Sequence, residues 1–198
     1  MKSDAIDFLS GIGASLAVGL IINLAAGIDI DHGVATFLVI AAIDVILLVA
    51  YKEQFYIQVK TSIFPSIGIA AAGIIFIVFY LIRNAQIVIS APRGTFDYVI
   101  YFINIAVLIP LFEEITVRRL MFIGASHYIG PVFSAFFVSV LFAATHGGQF
   151  LLAFIFSIVM CLMAWKGVNT YNRAILHGSY NGTLSMLWII SGIHAVPK

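Results

Sequence analysis

The sequence predicts an all-α membrane protein, a bundle of about seven transmembrane helices with a polar cavity facing the cytoplasm. Three observations carry that prediction. The 198 residues are 62% hydrophobic and only 10% charged, where soluble domains run near 45–50% and roughly 25%; mean hydropathy is +1.10. The apolar residues fall into seven runs, 8–28, 33–51, 63–82, 97–117, 131–146, 149–166 and 174–193, each close to the ~20 residues that cross a bilayer as helix. A few ionisable residues sit inside those runs, where charge is costly and marks function.

The first run follows one lysine and two aspartates, without the basic leader of a cleaved signal peptide, so it is expected to be a retained span. Asn23 in this run, Asn104 in the fourth and Ser139 in the fifth suit hydrogen bonds between helices. Asp44 lies in the middle of the second run, in AAIDVILLVA, and is expected to be protonated or paired inside the bundle. The third run carries no charged residue. Short loops separate the runs, with no internal repeat and no low-complexity linker. Cys161 is the sole cysteine, so no internal disulfide can form. A net charge of +1 argues against a nucleic-acid partner.

Orientation follows from the basic residues. With the N-terminus inside, Lys2, Lys52, Lys60, Arg118, Arg119, Lys166 and Arg173 fall on the inner side and Arg83, Arg93 and Lys198 on the outer. That asymmetry satisfies the positive-inside rule and places the N-terminus in the cytoplasm.

The fourth run ends in LIPLFEEITVRRLMFIG, residues 108–124, with two adjacent carboxylates and two adjacent arginines. On a continuous helix Glu114 and Arg118 share a face at i, i+4, in the favoured acid-before-base order. Glu113 points about 100° away, which leaves it free as a base. Arg119 reads as a snorkelling residue at the cytoplasmic interface. Pro110 removes a backbone donor just before the carboxylates and is expected to bend the helix there.

Two later stretches supply partners. FAATH carries Phe142 and His146 at i, i+4, and HGSYN carries His177 and Asn181 at the same spacing. With the turn ASHYIG centred near Tyr128, Glu113 and His146 come within about 5 Å in depth at 1.5 Å rise per residue. Glu113, His146 and His177 can therefore share the cytoplasmic half of the membrane. His32, His127 and His194 read as solvated.

Together EEITVRR, FAATH and HGSYN resemble the EExxxR, FxxxH and HxxxN motifs of the CAAX prenyl protease and bacteriocin-immunity family of intramembrane proteases. Val117 and Arg119 stand where bacterial members often have an aromatic and a glycine. The resemblance implies a core in residues 96–198, with residues 1–95 a variable preface of three spans. It implies that Glu113 and His146 activate a water that attacks a peptide carbonyl, and that His177 and Asn181 stabilise the oxyanion. Glu114 and Arg118, with Phe142 in support, hold the site or the substrate end. A carboxylate in a dry setting tends toward general-base behaviour, and an amide donates to an oxyanion without changing charge. The implied function is an intramembrane endopeptidase acting on a membrane-associated or prenylated peptide, in a prokaryotic cytoplasmic membrane with lipid as its surroundings.

No cofactor is expected on that resemblance. Glu113, His146 and His177 make an adequate zinc-ligand set, although HExxH is absent from the sequence. Two rivals stand beside the protease: a non-catalytic immunity or scaffold protein of the same fold, and a transporter with Glu113 and Asp44 on a proton path. The transporter calls for an internal repeat that the sequence lacks. Substrate identity and oligomeric state are not encoded legibly.

Overall fold

The protein was analysed as a computed structural model, which describes residues 2–27, 32–50, 63–82 and 95–190. Among these residues the chain forms seven helical stretches and no strand. They are α1 (Lys2–Gly27), α2 (His32–Ala50), α3 (Ile63–Ile82), α4 (95–129), α5 (Pro131–Ala144), α6 (Phe150–Trp165) and α7 (Thr170–Ile190). Four helical windows, Asp4–Leu24, Gly33–Ala50, Asp97–Ile129 and Gly147–Trp165, are long and apolar enough to cross a membrane; Ile63–Ile77 and Pro131–Ala144 are shorter apolar helices. Lys52, Lys60, Arg83, Arg93 and Lys198, half of the residues that set the predicted orientation, lie outside the described residues, as does His194.

The fourth helix continues beyond its apolar run and through the arginines, as the i, i+4 reading expects, but it also takes in most of the ASHYIG stretch expected as the turn and ends only at Ile129. The turn is confined to Gly130, whose φ of 75° suits a residue without Cβ. Within α4, α-helical stretches alternate with wide π turns at Asn104–Leu108 and Glu114–Phe122. The first lies just ahead of Pro110, and the N–H of Ile109 bonds back to the Asn104 carbonyl, five residues earlier. The missing proline donor is thus absorbed by widening the helix.

Helix α4 is buried on two sides, which is why its apolar residues run all round it. Phe112, Ile115 and Leu120 pack with Val18 of α1 and Ile40 and Leu47 of α2. Val117, Met121 and Phe122 pack with Val138 and Phe142 of α5 and Ala153 and Cys161 of α6. Small residues permit the closest approaches. A Cβ on Gly11 of α1 would meet the Thr116 carbonyl at 2.7 Å, and one on Gly178 of α7 would collide with the Ala106 carbonyl.

The polar residues read as helix-to-helix partners divide. Asn104 donates to the Gly33 carbonyl of α2 at 3.2 Å, and Ser139 meets Cys161 Sγ across α5 and α6 at 4.0 Å. Asn23 instead donates to Gly19 of its own helix at 2.7 Å and is exposed. Asp44 is buried between Ile40 and Leu47 on the inward face of α2, and neither of its oxygens has a hydrogen-bond partner among the described residues.

Candidate active site

Glu114 is fully buried and sits at the centre of a charged cluster formed by α4 and α7. The i, i+4 pairing with Arg118 is present, Nε to Oε1 at 3.5 Å. That contact is too long for a strong hydrogen bond. The shorter partner is Arg173 of α7, whose Nε donates to Oε2 at 2.9 Å. Arg173 also donates through Nη1 to the Val168 carbonyl and through Nη2 to Thr170 Oγ1 at 3.3 Å. Sequence reasoning placed Arg173 among the inner basic residues and missed its part here. The signal was its position four residues before His177, on the same helical face.

Glu113 is not free, contrary to expectation. His177 Nε2 lies 3.5 Å from Glu113 Oε2, and its Nδ1 lies 3.3 Å from Glu114 Oε1. Two adjacent helical side chains diverge by about 100°, which opens a wedge between the carboxylates. An imidazole, with a nitrogen on either edge, fills that wedge and meets both. The ring is backed by Phe156 of α6, centroid to centroid 4.7 Å. Only the outer edge of Glu113 stays accessible, at 16% exposure.

His146 follows the end of α5 and precedes Gly147, which turns with φ of 52°. Its Nδ1 lies 2.8 Å from the Phe142 carbonyl. A carbonyl only accepts, so Nδ1 carries the proton and Nε2 keeps its lone pair. The His146 ring stacks on Phe142 at 4.3 Å, and the Arg118 guanidinium lies over the same Phe142 ring at 4.2 Å. Phe142 therefore links the arginine to the second histidine. His146 does not reach ion-pair distance of Glu113. Asn181 lies half-buried one turn beyond His177 on α7, and its side chain makes no hydrogen bond to the described residues.

The donor chemistry of the zinc set is suitable in part. Each histidine has its Nδ1 committed, to Glu114 or to a backbone carbonyl, the arrangement that orients metal-binding imidazoles. Convergence is missing: among the described residues no three His, Cys, Asp or Glu side chains come together as a ligand group.

These features define an integral membrane protein with a buried acid–histidine–arginine site built from α4 and α7, with α5 alongside. Residues 95–183, the stretch that carries the three motifs, match the family model described as Rce1-like, type II CAAX prenyl endopeptidase Rce1-like. The match spans Glu113, Glu114, Arg118, Phe142, His146, His177 and Asn181. Neither the curated proteins nor the solved structures searched gave a match.

Proposed function

We propose that the protein is an intramembrane endopeptidase that cleaves a membrane-associated peptide, prenylated or unmodified, from a polar cavity open to the cytoplasm. The observation that carries this reading is the Glu113–His177–Glu114 arrangement, an acid and an imidazole held together inside an apolar bundle by a second, arginine-paired acid. Glu113, the more accessible carboxylate, takes a proton from a water, and the oxygen attacks the peptide carbonyl. His146, with its Nε2 lone pair, orients the same water once substrate closes the site. His177 shares the abstracted proton through Nε2, flanked by both carboxylates, and in that state can donate to the oxyanion. Asn181 supplies a neutral donor from the next turn. Breaking the C–N bond returns the proton to the leaving amine. Glu114 and Arg118 hold the site or the substrate end, and Phe142 supports Arg118 and His146. No metal takes part in this scheme.

The test is cleavage of a panel of prenylated and unmodified hydrophobic peptides by detergent-purified protein, read by mass spectrometry. Glu113→Gln, His146→Ala and a zinc chelator provide the comparison arms. Cleavage that is lost in both variants and survives the chelator is the expected result. Sensitivity to the chelator would replace the metal-free step with a zinc-bound one. Folded wild-type protein that cuts nothing would turn the reading to a non-catalytic immunity or scaffold protein.

A further inference from the structure

The seating of Glu114 does not follow from the motif that contains it. Arg118, its i, i+4 neighbour, approaches only through Nε at 3.5 Å, and none of its three guanidinium nitrogens makes a hydrogen bond among the described residues. Its plane is turned onto the Phe142 ring instead. A carboxylate held only by that contact could rotate freely about its last bond. The group that stops the rotation is Arg173, which grips Oε2 at 2.9 Å while its two other nitrogens are tied to Val168, just ahead of α7, and to Thr170, its first residue. With Oε2 held, Oε1 faces His177 Nδ1. Held between Arg118 and Arg173, Glu114 is the accepting carboxylate, so His177 Nδ1 carries a proton. Nε2, 3.5 Å from Glu113 Oε2, is the nitrogen that shares a proton with Glu113.

We propose that Arg173 is a positioning residue for the hydrolytic reaction, acting through Glu114 to fix the His177 ring with its proton on Nδ1 and Nε2 toward Glu113. The inference rests on the protease reading for its kinetic consequence, but its structural content does not depend on that reading. Arg173 is buried behind Glu114, with its guanidinium turned to that carboxylate and to the turn ahead of α7. It works because it combines a charge with a three-pointed fork, and lysine supplies only the charge.

The test uses the full-length protein in detergent, labelled with nitrogen-15 in its histidine rings. The His177 signals are assigned by their loss in His177→Gln. Wild-type protein is expected to show the Nδ1–H tautomer, and Arg173→Met a mixture or the Nε2–H form. Arg173→Lys should recover the charge without recovering the pure tautomer. In the cleavage assay both variants should lose kcat by roughly tenfold to a hundredfold, the range for groups that orient a ligand or base from behind, with KM little changed. If Arg173→Met fails to fold, Arg173→Lys carries the test alone. An unchanged Nδ1–H signature in folded Arg173→Lys or Arg173→Met would overturn the proposal, as would a wild-type ring that is not protonated on Nδ1. A wild-type protein that cleaves nothing while the tautomer moves as expected would remove the protease reading and leave the positioning role standing.

Discussion

Adding one methyl group beside His177 should disable the site while leaving its chemistry untouched. The Cβ of Gly178→Ala points at the Ala106 carbonyl oxygen on α4, inside any approach that real atoms make. The obstacle is backbone, so no rotamer change relieves it and the helices must part. Overpacking of this kind costs about 1–3 kcal/mol, and a backbone obstacle belongs at the upper end. Alanine recovers about 1 kcal/mol of helix propensity over glycine, which leaves a net loss near 2 kcal/mol. The effect on catalysis is larger, because separating α7 from α4 moves His177 away from Glu113 and Glu114 together. A displacement near 1 Å costs about a hundredfold in rate. Gly182→Ala is the graded comparison, since its Cβ meets the Ala106 methyl at 3.1 Å. Ala106→Gly removes that methyl and not the carbonyl, so it should rescue Gly182→Ala and fail to rescue Gly178→Ala. Thermal melting in detergent and the peptide-cleavage rate are the assays. Full activity in Gly178→Ala, or rescue of it by Ala106→Gly, would refute the backbone-contact reasoning.

Other substitutions separate chemistry from support. Glu113→Gln should cut the cleavage rate by about 10²–10⁴-fold, the share of a general base, with a smaller fall in melting temperature than Glu114→Gln because Glu113 keeps an accessible edge; a fall as large as that of Glu114→Gln would make it structural. Glu114→Gln leaves two buried guanidiniums without their counter-charge and should cost about 3–5 kcal/mol, read as a marked drop in melting temperature. Asp44→Val removes two buried oxygens that have no hydrogen-bond partner among the described residues and should be neutral or stabilising. Destabilisation of Asp44→Val by more than about 2 kcal/mol would instead reveal a bound water or proton partner.

The helical stretches were legible because an apolar run of bilayer length has little to do except span or fill a core as helix, and spacing pointed to Glu114, Arg118 and His177, which the structure brings together. What escaped was tertiary. Arg118 resembled the edge of a span, yet it is fully buried and α4 continues for eleven residues beyond it, to Ile129. Hydropathy cannot tell an interfacial arginine from one paired inside. Arg173 looked like a loop cation for the same reason. Taking Arg118 and Arg173 out of the inner basic group leaves five inner residues against three outer, from seven against three, so the orientation argument keeps its direction. Glu113 was misjudged by a different route. Its direction relative to Glu114 was sound, but a side chain unpaired along its own helix can still be met by another, and His177 came from 64 residues away.

The charge pattern that marks α4 becomes intelligible once Arg173 is counted. Two carboxyl groups, Glu113 and Glu114, meet two guanidiniums, Arg118 and Arg173, around His177. Burying a net charge is far more costly than burying a balanced set, so the second arginine offsets the second carboxyl group inside the bundle. Glu114→Gln alone unbalances the cluster by one positive charge, and Arg173→Gln alone by one negative charge. The double variant restores neutrality with Glu113 and Arg118. Its loss of stability should therefore fall short of the sum of the single losses by about 0.5–3 kcal/mol, the range for residues in one ionic network. Additive losses in a detergent melting cycle would mean that Glu114 and Arg173 are not energetically one unit, and the balance of four charges would then explain nothing about why Glu113 can work where it stands.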